Sequence, residues 1–173
     1  MKLWDFSLTL YPQPGVAEAC LTLQNRYGFD VNLLLYRLWL AQGGSCLSVE
    51  QQRQAETLCA EWNASVVHPL RALRTAMKEW PQSGTLAPFS QREDFEALRS
   101  GIKKAELEAE RRQQLVLEAL HAPSELSSDP HLEGLARALA DSDAAARALV
   151  AQVASGLSSD FGSRVARALD FGR

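Results

Sequence analysis

Residues 31–40, with the sequence VNLLLYRLWL, are the most apolar stretch of the chain, since eight of these ten residues are hydrophobic. A helix that is hydrophobic on all sides has no face to turn toward water and is therefore buried inside a domain. Asp30 is a suitable N-cap before it, and Gly43 with Gly44 closes it. The stretch therefore predicts a central helix over about residues 30–42, around which the remaining helices pack.

The rest of the chain also has helical periodicity, and no segment shows the alternation of a half-buried strand. We therefore expect an all-α fold, a single helical bundle of five to seven helices. Ser48 and Gln51 form a capping box that begins a long amphipathic segment. Pro69 lies inside this segment, where it removes a hydrogen-bond donor and disfavours helix at His68, so we expect a kink or break near residues 67–69.

A long charged helix is expected over about residues 91–121, begun by a second capping box of Ser90 and Glu93. Thirteen of its 31 residues are charged, so we expect it to pack along one narrow stripe and to be solvated elsewhere. The expected stripe follows heptad spacing. It consists of Phe95, Leu98, Ile102, Ala105, Ala109, Arg112, Val116 and Ala119.

The composition changes after Pro123, and Asp129 with Pro130 begins an alanine-rich region that has nine alanines among residues 134–157. Small side chains bury little apolar area, so this region gains less from packing per residue. Residues Asp141 to Asp143 are expected to divide it into two helices. We expect a helical core domain over residues 1–122 and an alanine-rich helical segment over residues 123–173, packed on the core or appended to it.

The overall charge excludes some classes of partner. A net charge of −3 and a pI near 5.6 give no general attraction to nucleic acid or anionic lipid. The longest apolar run is about half of what a bilayer crossing needs, and Arg37 interrupts it, so no membrane insertion is expected. Residues 1–6 do not have the pattern of a signal peptide, and the expected location is the cytoplasm.

The reactive side chains form no catalytic or metal-binding motif. Cys20, Cys46 and Cys59 are widely spaced, and none of the three histidines forms a ligand-spaced cluster with them. No serine or cysteine lies in a nucleophile elbow, and no glycine loop suits a phosphate. We therefore expect no metal, no cofactor and no catalytic residue.

The first candidate site lies on the central helix, where Asn32, Tyr36 and Trp39 fall within about 60° of each other. An amide, a phenol and an indole on one face are able to line a small-molecule pocket, with His68 and Arg71 contributed by the segment around Pro69. The alternative is that the two aromatic residues anchor the core and that Asn32 satisfies a neighbouring helix.

The second candidate site consists of Arg71, Arg74 and Lys78, which fall within about 60° of each other on a helix. Three interpretations are open. The cations pair with acids of the charged helix such as Glu106 and Glu110, if the two helices are antiparallel neighbours. They otherwise form a surface for a partner protein, or they bind an anionic ligand through bidentate arginine contacts.

Three blocks of sequence resemble a known family. The first contains YPQPGV at 11–16 and GFDVNLLL at 28–35, the second is VVHPLRALR at 66–74, and the third is KAELEAER at 104–111. With these blocks the chain resembles a family of small, uncharacterised proteobacterial proteins, common in pseudomonads, that has no assigned activity. The resemblance covers about residues 3–120. It implies a bacterial, cytoplasmic, helical protein and supplies no reaction, ligand or site residue.

The sequence therefore predicts a non-catalytic, cytoplasmic helical protein that acts as a protein-interaction or regulatory accessory factor, with another protein as its partner. The alternative is a small-molecule-binding protein or an enzyme with a pocket beside the central helix. The chain is expected to be a monomer or a homodimer. A homodimer would form through the stripe over residues 95–119, where Arg112 opposes a continuous dry interface.

Overall fold

A computed structural model of the chain describes residues 1–45, 47–80, 84–91, 93–120 and 132–170. Within these residues every regular element is helical, which confirms the all-α prediction. The α-helices are α1 (Leu3–Leu10), α2 (Val16–Tyr27), α3 (Val31–Gln42), α4 (Val49–Trp62), α5 (His68–Ala76), α6 (Ala87–Ser90), α7 (Phe95–Leu120), α8 (Glu133–Ala138), α9 (Ala144–Ser155) and α10 (Ser159–Asp170). The described residues form ten α-helices, more than the five to seven expected; seven of them have nine or more residues, and α1, α6 and α8 are shorter.

The chain divides into two compact units. Unit 1 consists of residues 1–56 and 114–173, and unit 2 of residues 57–113. The chain leaves unit 1 within α4 and returns to it within α7. The alanine-rich helices therefore belong to the same unit as the N-terminal helices. The boundary expected near residue 122 lies outside the described residues.

Helix α3 is the buried centre of unit 1, as its sequence predicts. Seven of its twelve residues are buried, among them Leu34, Tyr36 and Leu38 with at most 1% exposure. Helices α1, α2 and α8 all contact it. Its N-terminus is capped by the Asp30 carboxylate, which accepts the Leu33 N–H at 3.0 Å. Burying each large apolar side chain contributes roughly 1.5–3 kcal/mol, so this helix organises the unit.

Helices α9 and α10 pack closely together in unit 1, and α9 also packs on α2. The division expected at Asp141 to Asp143 is present, since α8 ends at Ala138 and α9 begins at Ala144, and a third helix, α10, follows them. Asp143 caps α9 by accepting the Ala145 N–H at 2.7 Å. The absence of a side chain at Gly162 permits the approach of α9 and α10. A Cβ there would lie 2.5 Å from the Ser155 Cβ and 2.7 Å from its Cα.

The Pro69 region belongs to unit 2 and continues as helix instead of breaking. Helix α4 begins with the predicted capping box, in which the Gln51 N–H donates to the Ser48 Oγ and the Ser48 N–H donates to the Gln51 Oε1. A π-helical turn over Asn63–Val67 then leads directly into α5. The turn is closed by the His68 N–H, which donates to the Asn63 carbonyl, and Pro69 follows directly. In an ordinary α-helix a proline ring clashes with the carbonyl four residues earlier, and the wider π-helical turn lies where that clash would occur.

The start of α7 differs from the prediction. The Ser90 hydroxyl donates to the Ala87 carbonyl at the end of α6, so Ser90 does not cap α7, which begins at Phe95. The first α-helical hydrogen bond of α7 joins the Leu98 N–H to the Asp94 carbonyl at 3.1 Å. The capping-box prediction for Ser90 and Glu93 is therefore wrong, because Ser90 is the last residue of the short helix α6, which begins at Ala87.

The buried stripe of α7 is rotated away from the expected heptad seam. Leu98, Arg112 and Val116 of that seam are exposed, whereas Phe95 and Ala109 are buried. The remaining buried positions include three polar side chains, Glu106, Gln113 and Gln114, together with Leu117. A search for apolar spacing misplaces this stripe because its centre is polar.

Candidate functional site

The first group of predicted site residues lies on α3 in unit 1. The rings of Tyr36 and Trp39 are stacked with their centroids 6.2 Å apart, and the Trp39 Nε1 donates to the Met1 carbonyl at 3.0 Å. The Asn32 Oδ1 accepts a hydrogen bond from the Gln114 Nε2 at 2.7 Å. These three side chains therefore make contacts inside unit 1.

Asn32 is part of a buried polar network that joins three helices of unit 1. The Ser7 hydroxyl of α1 contacts the Gln114 Oε1 at 3.0 Å, and the Gln114 amide donates to Asn32 of α3. One turn further along α7, the Glu118 carboxylate accepts the Leu3 N–H at 2.8 Å and satisfies the first donor of α1. The end of α7 thus fixes α1 and α3 through polar contacts.

We expect Asn32→Ala to lower the free energy of unfolding by about 1–3 kcal/mol, because the buried Gln114 amide would lose its acceptor. Urea unfolding of the full chain measures the effect. Asn25→Ala is the matched control, since Asn25 is exposed on α2, and its effect should stay within about 0.5 kcal/mol. Equal stabilities for the two variants would contradict the role given to this network.

A small cavity in unit 1 lies away from this group. Its volume is about 20 Å³, enough for one water molecule, and Arg37, Leu40 and Gln52 are among the residues that line it. Arg37 also forms an ion pair with Glu56 at 2.5 Å. A drug-sized ligand needs several hundred Å³, so this cavity is too small to hold one.

His68 and Arg71, the other two residues of the predicted pocket, belong to unit 2. The His68 side chain is exposed, and Arg71 contacts acids of α7. The first three, Asn32, Tyr36 and Trp39, belong to unit 1. A pocket lined by all five residues therefore stays a prediction.

An ion cluster in unit 2 joins α5 to α7. Arg71 contacts Glu106 through its Nε at 2.9 Å and Glu110 through its Nη2 at 2.6 Å. Arg74 contacts the same Glu106 through its Nε, and its Nη2 lies 3.2 Å from the Oε1. The geometry agrees with the interpretation in which the arginines pair with acids of the charged helix. Lys78 is exposed and lies in the turn after α5, beyond the last residue of that helix.

The contacts of unit 2 show that α5 and α7 run in opposite directions. Beyond the ion cluster, the Trp62 Nε1 donates to the Ala109 carbonyl at 2.9 Å, and the rings of Trp80 and Phe95 lie 5.9 Å apart. As the residue number rises from Trp62 to Trp80, the number of the contacted residue falls from Ala109 to Phe95. Unit 2 is an antiparallel helical hairpin with the ion cluster between its helices.

Burial and hydrogen bonding have opposite effects on the pKa of Glu106. Burial alone raises this pKa, but hydrogen bonds from Arg74 and Arg71 outweigh it and hold the pKa below its ordinary value. The hydrogen bond that Arg74 donates to Glu106 also raises the pKa of Arg74. Both shifts favour the ionised forms of Glu106 and Arg74, which pair with each other. Such an arrangement holds two helices together and leaves little reason for an anionic ligand to bind Arg71 and Arg74.

Gln114 and Ser7, which tie α7 to α1, were not predicted from the sequence. A signal was present, since Gln113 and Gln114 are uncharged amides on a helix whose other polar residues are almost all charged. Amides are easier to bury than charges because they need no counter-ion. A pair of them inside a charged helix therefore indicates a buried polar contact.

The described residues contain no other group that suggests chemistry. No three or more histidine, cysteine, aspartate or glutamate side chains in these ranges are arranged to hold a metal ion. Cys20 and Cys59 are buried, and burial raises the pKa of the Cys20 thiol to about 11, which makes it a poor nucleophile at neutral pH. Cys46 lies outside the described residues. None of the described helices is both long and apolar enough to cross a membrane.

Comparison with known proteins places the chain in a family without assigning it an activity. Residues 2–117 match the family described as protein of unknown function (DUF2390). This range agrees with the resemblance noted over about residues 3–120. No curated protein and no solved structure matches the chain. Since the match covers well over half of its length, the chain belongs to the family DUF2390.

Proposed function

We propose that the protein is a non-catalytic, cytoplasmic factor that binds another protein through unit 2. The observation that carries this proposal is the exposure of the large apolar side chains in unit 2. Among the described residues of unit 2, the large hydrophobic side chains that are exposed outnumber those that are buried. The exposed ones are Leu58, Leu73, Leu86, Phe89, Leu98 and Leu107, and the buried ones are Val67, Met77 and Phe95.

Unit 1 has the opposite distribution and serves as an internal comparison. Most of its described large hydrophobic residues are buried, including three residues of α1, Leu3, Phe6 and Leu10, with no exposed surface. Single exposed hydrophobic residues are normal on any protein. An excess of exposed over buried ones within one compact unit is typical of a surface that another molecule covers.

The internal contacts of unit 2 suit a protein-binding surface. Helix α5 is joined to α7 by the ion cluster, and α4 is joined to α7 by the Trp62 hydrogen bond. These contacts fix the register of the helices without a large apolar core. Directional contacts of this kind specify geometry more than they add stability. The leucines of the hairpin therefore remain available to a partner. The thiol of Cys20 is buried and forms no disulfide, which suits a reducing compartment such as the cytoplasm.

Affinity capture of the tagged full chain from its own host cells tests this proposal. We expect at least one of Leu73→Glu, Leu98→Glu and Leu107→Glu to reduce the recovered partner tenfold or more, because truncating or charging a central apolar contact costs over about 1.4 kcal/mol. Leu21→Glu is the matched control, since Leu21 is an exposed leucine of unit 1. Circular dichroism and thermal melting verify that each variant is folded.

Two results would contradict the proposal. In the first, all three unit 2 variants recover the same proteins in the same amounts as the unsubstituted chain. In the second, Leu21→Glu loses the partner as completely as the unit 2 variants do.

A further inference from the structure

We propose, building on the function proposed above, that a basic surface on α7, formed by Lys103, Lys104 and Leu107, binds an acidic amphipathic helix of the partner protein. All three side chains are exposed, and 53% of the Leu107 surface is accessible. Lys103 and Lys104 precede Leu107 by four and three residues, so both lie beside it on the helix surface. An exposed leucine side chain is thus flanked by two cations.

The neighbouring acids do not neutralise these lysines, because arginines engage them. Glu106 contacts Arg71 and Arg74, and Glu110 contacts Arg71. The third acid of this stretch, Glu108, contacts Arg111 at 3.6 Å and Arg112 at 3.3 Å. The acids between residues 104 and 111 are therefore all engaged within unit 2, and the positive charge of the two lysines is directed at solvent.

The chemistry of the surface favours an acidic protein segment over other anions. An amphipathic helix presents an apolar side chain flanked by polar ones at spacings of three and four, which matches a leucine between two lysines. Anionic membranes are usually bound by clusters of four to eight basic residues, more than this surface provides. The net charge of −3 also opposes nucleic acid as the general partner.

A phage-displayed library of random 16-residue peptides, selected on the full-length protein, tests this inference. We expect the enriched peptides to carry several acidic residues with apolar residues at helical spacing. Their affinity should fall at least tenfold with the double substitution Lys103→Glu and Lys104→Glu, and should weaken as salt concentration rises. The matched control is Lys2→Glu with Arg53→Glu, which changes the net charge equally at two exposed cations of unit 1.

The other outcomes separate this inference from the function on which it rests. Uncharged apolar peptides that are lost with Leu107→Glu but bind the lysine variant normally would overturn the acidic partner and leave protein binding by unit 2 intact. Binding to vesicles of phosphatidylserine and phosphatidylcholine that depends on the two lysines, without peptide enrichment, would also overturn it. Peptides that depend on neither the lysines nor the leucines of unit 2 would contradict both proposals.

Discussion

Gly162→Ala is expected to lower the free energy of unfolding by about 2–3 kcal/mol, a large effect for the addition of one methyl group. The new Cβ would lie 2.5, 2.7 and 2.9 Å from the Ser155 Cβ, Cα and N atoms. Two of these atoms belong to the backbone of α9, so no side-chain rotation relieves the contact. The two helices would have to move apart, and contacts of Val165 and Leu169, which are buried on α10, would weaken.

Gly101→Ala is the matched control for this prediction. Gly101 lies on α7, and an added Cβ would meet no atom within 4 Å. Alanine is a better helix former than glycine by about 0.5–1 kcal/mol, so this variant should be more stable than the unsubstituted chain. Chemical unfolding followed by circular dichroism measures both. If Gly162→Ala raised the free energy of unfolding as Gly101→Ala does, α9 and α10 would not approach as closely as they do in the structure.

Glu106→Gln is expected to destabilise the protein by about 2–3 kcal/mol at neutral pH. It leaves Arg71 and Arg74, each about one-quarter exposed, without their shared counter-charge. Breaking a fully buried pair costs about 3–5 kcal/mol, and the solvent that reaches these arginines reduces that cost. Glu108→Gln is the control, because the contacts of Glu108 with Arg111 and Arg112 are half-exposed or more, and its effect should be below about 0.5 kcal/mol.

The difference in stability between Glu106→Gln and Glu108→Gln should depend on pH. The pKa of Glu106 is lowered in the folded protein, so its ionised form contributes stability above the ordinary glutamate pKa of about 4.5. That contribution is lost as the pH falls through the folded pKa. The penalty for Glu106→Gln should therefore be constant near neutral pH and shrink in acid. Equal penalties for Glu106→Gln and Glu108→Gln at neutral pH would contradict the role of the ion cluster.

The parts of the fold that sequence predicts well are those with an unambiguous local signal. Helix α3 has too little polar surface to lie anywhere but in a core, and Asp30 marks its start. The Ser48 and Gln51 capping box formed as predicted, since both of its hydrogen bonds join residues three apart. Pro69 located an irregularity in the helix, and only the form of that irregularity, a π-helical turn, was not predicted.

The parts that sequence did not predict depend on contacts between distant residues. The packing stripe of α7 passes through Glu106 and Gln114, whose partners lie 32 or more residues away in sequence, so a search for apolar spacing favours the wrong face. Ser90 and Glu93 have the pattern of a capping box, yet the neighbouring α6 engages the serine first. The division into two units follows from the return of α7 to the N-terminal helices, which composition does not reveal.

Amide hydrogen exchange of the protein, alone and with the partner recovered by affinity capture, tests most directly whether unit 2 is the binding surface. Binding that covers the hairpin should slow exchange in α5 and in residues 95–113 and leave α2, α9 and α10 unchanged. Slower exchange confined to the helices of unit 1 would contradict this account.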